Sequence, residues 1–103
     1  MSGILFFGTR DLPAVQRFYS SLGATVWLEQ ADCVILNHGN LLLGFCQKKI
    51  CDRNGIITFF YSTKEEVDHM YDFLREQTEA PPKTNEKYMI YHFFAKDPED
   101  RTI

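Results

Sequence analysis

Few side chains in this sequence are equipped for chemistry, and they are scattered along it. His92 stands out because it lies in the run Tyr91-His92-Phe93-Phe94, where an imidazole titrating near neutrality is placed to act as general acid or base. No carboxylate stands at a spacing that would orient its ring, so a satisfied or surface histidine is the plainer role beside the catalytic one. His38 falls in the turn-like Asn37-His38-Gly39-Asn40 and His69 beside Asp68 on a charged helix face, and both are expected to be solvated and without a role. Cys33, Cys46 and Cys51 are odd in number and contain no CxxC, and only Lys48 and Lys49 stand near to favour a thiolate. Buried or idle thiols in a reducing compartment are expected. The acidic run Glu65, Glu66, Asp68 opens a helix, where it complements the helix dipole.

The elements that must position these residues follow from the apolar pattern. Residues 4–9 are aromatic and β-branched and run into Asp11-Leu12-Pro13, a helix cap followed by a first-turn proline. Val15, Phe18, Tyr19 and Leu22 then recur at helical spacing, and Gly23 supplies the stop. Residues 25–29, 33–36 and 41–47 read as a three-stranded meander, and polar residues 48–54 as a linker. The order then repeats. Residues 56–62 predict a strand, Thr63-Lys64-Glu65-Glu66 is a capping box, 79–85 is a breaker-rich loop, and 88–95 a further strand before the turn Asp97-Pro98-Glu99-Asp100. Val67, Met70, Tyr71 and Leu74 each fall 52 positions after a helical apolar residue of the first half, and Gly3, Ile4 and Phe7 map onto Gly55, Ile56 and Phe59 by the same offset. Internal duplication explains this, with one module over 1–54 and a second over 55–103 whose last strand is truncated.

The 103 residues are 45% apolar and 24% charged with a net charge of -3, which fits one soluble domain and leaves no basic footprint for nucleic acid. No apolar run approaches the span of a bilayer and no leader is visible, so a cytoplasmic protein without a membrane partner is expected.

Three segments carry a resemblance to a known family. Thr9-Arg10-Asp11-Leu12 precedes the first helix, Phe18-Tyr19-Ser20-Ser21-Leu22-Gly23 ends it, and Phe94-Ala95-Lys96-Asp97-Pro98-Glu99 lies near the C-terminus. In this order, and over nearly the whole chain, they resemble the vicinal oxygen chelate superfamily, which includes glyoxalase I, bleomycin resistance proteins and extradiol dioxygenases. The resemblance implies an α+β, glyoxalase-like fold in which two βαβββ modules form curled mixed sheets around a cavity, and it implies a homodimer. Metal-using members of that family hold a divalent ion with His, Gln or Glu from the first and last strands of each module. Carried over position by position, those sites fall on Ile4, Gly44 and Ile56, with a fourth just past Ile103. Residues 3–8 and 55–60 contain no His, Glu or Gln, so neither a metal nor another cofactor is expected. Asp100-Arg101 stands where the family usually has Gly-Asn.

Strand alternation from the implied ligand positions puts Ile4, Phe6, Leu42, Gly44, Cys46, Ile56, Thr58 and Phe60 on the cavity side, a mostly apolar lining suited to a flat organic molecule. Trp27, Tyr88, Tyr91 and Phe93 either add stacking surface at its rim or serve as ordinary half-buried strand residues. The expected function is therefore a metal-independent binding protein of the bleomycin resistance type, a homodimer holding a small aromatic or amphiphilic ligand in an apolar cavity. Two alternatives remain at this stage. One is a metal-dependent lyase, isomerase or dioxygenase of the same superfamily, using a non-standard set such as His92 with residues beyond Ile103. The other is a domain that only dimerises or docks to a protein.

Overall fold

The computed structural model describes residues 3–103, and the chain divides after Asn54 into two compact units. The first contains β1 (Leu5–Thr9), α1 (Leu12–Ser21), β2 (Thr25–Glu29), β3 (Cys33–His38) and β4 (Leu41–Gln47). They form one mixed sheet in the order β1-β4-β3-β2, in which β1 runs parallel to β4 and the other pairs are antiparallel. Asp11 caps α1, its Oδ1 accepting the Ala14 N–H at 3.1 Å, and Gly23 leaves the helix at φ 102°, a conformation costly for residues with a Cβ.

Helical spacing puts Val15 and Tyr19 on one face of α1, and both are fully buried. Tyr19 stacks on Phe45 with centroids 5.0 Å apart, and Phe7 meets Phe45 from β1 at 5.9 Å. Alternation sets Val34, Leu36 and Leu43 on this same side, so the helix and the odd face of β4 enclose the core of the unit. Gln47 ties the sheet end to the helix start, its Oε1 accepting Leu12 N–H at 3.1 Å and its Nε2 donating to Arg10 O at 2.5 Å. His38, expected in a solvated turn, is instead the last residue of β3 and half-buried. Its Nε2–H donates to Leu22 O at 3.2 Å, satisfying a carbonyl at the helix end.

The second unit contains α2 (Lys64–Phe73), a 3-10 turn at Arg75–Gln77, β5 (Lys83–Asn85) and β6 (Ile90–His92). Thr63 caps α2 through Oγ1, which accepts Glu66 N–H at 3.2 Å, as the capping box predicts. Three expectations change here. No strand forms over 56–62: Ile56 makes a single parallel bridge to Thr102, and one bridge is too short a ladder to define a strand. The breaker-rich loop contributes β5, which pairs antiparallel with β6, and Asn85 turns the chain between them by accepting the Lys87 and Tyr88 N–H groups on Oδ1. The strand expected over 88–95 is confined to Ile90–His92, with Ala95 bonded separately to Ile103.

The turn after Ala95 is organised around a buried ion pair. Arg101 is 2% exposed, and its Nη1 lies 3.1 Å from Asp97 Oδ2. Asp97 Oδ1 accepts the Glu99 and Arg101 N–H groups at 2.8 and 2.9 Å, so both charges are hydrogen-bonded as burial demands. Asp100 takes φ 65°, the left-handed conformation that a glycine would adopt freely, which accounts for a turn of this kind without one. Taken element by element, the chain is an α+β protein of two helices and mixed sheets.

Candidate functional site

The register of the first sheet decides which side chains share its helix-free face. Phe6 pairs with Gly44 and Gly8 with Cys46 across β1 and β4, while Ile35 and Cys33 stand opposite Gly44 and Cys46 on β3. These residues leave the sheet on the side away from Phe45 and α1. Phe6 is 55% exposed, and its ring lies over Gly44: a Cβ on that glycine would come within 2.3 Å of the ring's Cδ1 and 2.4 Å of its Cε1. Leu42 is on the same face by alternation but is buried, and Ile4 precedes β1 half-buried.

Beside the Phe6 ring an open groove of about 660 Å³ runs between β1, the end of β4 and the segment that follows. Gly8 and Cys46 form its floor, and Lys48, Lys49 and Ile50 rise along it. Ile50 is 78% exposed and presents its aliphatic side chain at the edge of the groove. The segment is held close by Asp52, whose Oδ2 accepts the Gly8 N–H at 2.6 Å and whose N–H donates to Gly8 O at 3.0 Å. Gly8 is required by this approach, since a Cβ there would come within 2.9 Å of Ile50 O.

Cys46 is not the idle thiol that its spacing suggests. It is bonded to Cys33 directly across the β3–β4 ladder, with Cα atoms 4.0 Å apart, while Cys51 lies outside that bond, buried, with its thiol donating to Asp52 O at 3.8 Å. Gln47 N–H bonds to Asp32 O in the same ladder, so the cysteines occupy the neighbouring non-hydrogen-bonded pair, where facing side chains come closest. The signal was a register that only pairing of the strands reveals, and the disulfide removes the argument from these cysteines to a reducing compartment.

The remaining expected site residues lie elsewhere. Trp27 sits at a register irregularity on the edge strand β2 and is 54% exposed. In the second unit Ile56 and Thr58 are exposed, and Phe60 is 86% exposed. Tyr91 is turned to α2: its hydroxyl donates to Asp68 at 2.6 Å, and Lys64 Nζ stands 5.4 Å above its ring. That hydrogen bond, then partial burial and the Asp68 charge, raise the Tyr91 hydroxyl above its ordinary pKa. Phe93 follows the same side, edge-on to Tyr71 of α2. Tyr88 is exposed beneath Lys87. His92, on the opposite side of β6 from Tyr91, packs against Phe94 at 5.1 Å and lines a separate pocket of about 280 Å³ within the second unit.

The metal centre implied by the family resemblance does not fit these residues. Ile4, Gly44 and Ile56 carry no ligating atom, and the Phe6 ring covers Gly44. Among the described residues no three His, Cys, Asp or Glu side chains gather in a way that could hold a metal ion. Among them also, no helix is long and apolar enough to cross a membrane.

Comparison with known proteins places the fold. No protein-family model matches the sequence, and comparison with curated proteins gives no match. Solved structures do match. A hypothetical protein from S. aureus superposes with a TM-score of 0.80 at 18% identity, covering 99% of this chain and 92% of that one. A glyoxalase/bleomycin resistance protein/dioxygenase from Alicyclobacillus acidocaldarius gives 0.71 at 18% identity, with 99% and 86% covered. A bleomycin resistance determinant encoded on the transposon Tn5 gives 0.68 at 17%, with 99% and 92% covered. At such identities the likeness is one of fold alone: the chain has a glyoxalase-like fold.

Proposed function

We propose that this chain is a small-molecule binding protein that holds an aromatic or amphiphilic ligand against the groove face of its first unit, without a metal, and that it works as a homodimer. The observation that carries the proposal is the Phe6 ring lying over Gly44 beside an open groove rimmed by Ile50, Lys48 and Lys49. A flat, half-exposed aromatic surface offers stacking and apolar burial, and two lysine heads at the rim suit a ligand with a polar or acidic end. Metal independence is supported by the side chains at Ile4, Gly44 and Ile56, which offer no donor atoms. Dimerisation is supported by the number of large apolar side chains left uncovered in each unit, among them Trp27 and Ile50 in the first and Phe60 in the second. The bleomycin resistance determinant among the structural neighbours is consistent with a binding role for the fold.

Titration of the purified full chain with 1-aminoanthracene, an uncharged fluorescent aromatic, tests the groove. Saturable binding is expected, and Phe6→Ala should weaken it about tenfold through lost stacking and apolar area. Binding that Phe6→Ala leaves unchanged would place the ligand elsewhere and reject the groove. A stoichiometric divalent ion in the purified protein would reject metal independence.

A further inference from the structure

The pocket of the second unit plays no part in the function proposed above, and its chemistry differs from that of the groove. It encloses about 280 Å³, near the lower end of the volumes that small ligands occupy. The β5–β6 register sets Lys83 directly opposite His92, so both side chains leave the ribbon on one side. Phe94, two residues further, meets the His92 ring at 5.1 Å with the planes 70° apart. Lys96 closes the far wall, where it pairs with Thr102 and donates from Nζ to Thr102 Oγ1 at 2.8 Å. Two nearly perpendicular rings thus form a corner with lysines on its walls.

Each part of this arrangement selects a feature of a ligand. A corner made by edge-to-face rings accepts a third flat ring, stacked on one and meeting the edge of the other, and Phe94 is left half-exposed there. Lysine stems extend along apolar walls while their ammonium groups reach the mouth. Among the described residues neither Lys83 nor Lys96 is engaged in a salt bridge, so their charge is not already neutralised. Glu79, also on the wall, opposes an anion from its own side. We infer that this pocket binds a small aromatic carboxylate, its ring in the His92–Phe94 corner and its carboxylate at Lys83 and Lys96. The inference goes beyond the proposed function and does not depend on the groove of the first unit.

Titrations of the full chain with 1-naphthoate and with 1-naphthalenemethanol, the same ring system without the charge, test it by naphthalene fluorescence. Naphthoate should bind about tenfold tighter at low salt, and the difference should shrink as salt screens the exposed charges. Lys83→Gln and Lys96→Gln should each weaken naphthoate about fivefold, as expected for one charge pair near contact in water, and leave the alcohol unaffected. Glu79→Gln should tighten naphthoate, and Phe94→Ala should loosen both compounds. Equal affinity for the two compounds, or a naphthoate preference that survives both lysine substitutions, overturns the inference. Phe6→Ala should leave naphthoate binding intact. If it abolishes binding, the compound sits in the groove of the first unit, and this inference fails while the proposed function stands.

Discussion

Gly44 is where backbone economy and ligand chemistry meet. The absent Cβ is what lets the Phe6 ring lie on β4. Gly44→Ala should push that ring off the sheet, cost about 1–3 kcal/mol as an overpacking change, and weaken 1-aminoanthracene binding, read by urea denaturation and fluorescence titration together. An unchanged affinity would mean that the ring's seat does not matter to the ligand. The cysteines offer a second test at this scale. Protein denatured without reductant should present one titratable thiol, from Cys51, and reduction should expose all three cysteines. The types of Phe6, Gly44 and Cys46 and the face they share could be read from alternation, because a strand shows its period in its own residues. The Cys33–Cys46 bond could not, because it depends on which residue of a second strand stands opposite.

Among the elements, α1 and α2 were the most legible, since cap, apolar spacing and stop lie within one short stretch of chain. Their attachments were less so. Tyr91 ties β6 to α2 through Asp68, and that hydrogen bond raises its hydroxyl above the ordinary value of 10.0. A raised folded pKa favours the protonated phenol, so the contribution of the bond is fully present below pH 10.0 and is lost as pH rises through the higher folded value. Ultraviolet titration should show two tyrosines ionising late, Tyr91 and Tyr61, whose burial and Glu66 neighbour also raise its hydroxyl, and Tyr91→Phe should remove one of the two late steps and flatten the alkaline loss of stability. A Tyr91 that ionises with the rest would mean that the bond to Asp68 does not persist in solution. The strands of the second unit depend on partners in the same way. Residues 56–62 carry a strong strand composition, yet the ladder to Thr102 is a single bridge, whereas Lys83–Asn85 has a weak composition and a good partner in β6.

At the scale of the whole molecule, exposed apolar surface is the feature that asks for a partner. Phe60, Ile50 and Trp27 each present a large hydrophobic side chain to solvent. Sedimentation equilibrium of the wild-type chain should give a dimer at micromolar concentration, and Phe60→Asp should shift it toward monomer without altering the far-ultraviolet circular dichroism. A monomeric wild type would leave the exposed residues to the ligand alone and remove the homodimer from the proposal.

The recurrence of apolar helix positions at a 52-residue offset, the two helices with their caps, and the absence of donor atoms at Ile4, Gly44 and Ile56 were all determined by the sequence alone, because each rests on local spacing or on residue identity. Only the tertiary structure decided that Cys33 meets Cys46, that Tyr91 turns to α2 and away from His92, and that Lys83, Phe94 and Lys96 gather around His92 in one pocket. Those outcomes depend on strand register and on which face each ribbon turns to its helix. Both are settled by the joint burial of residues distant in sequence, a quantity that no local window contains.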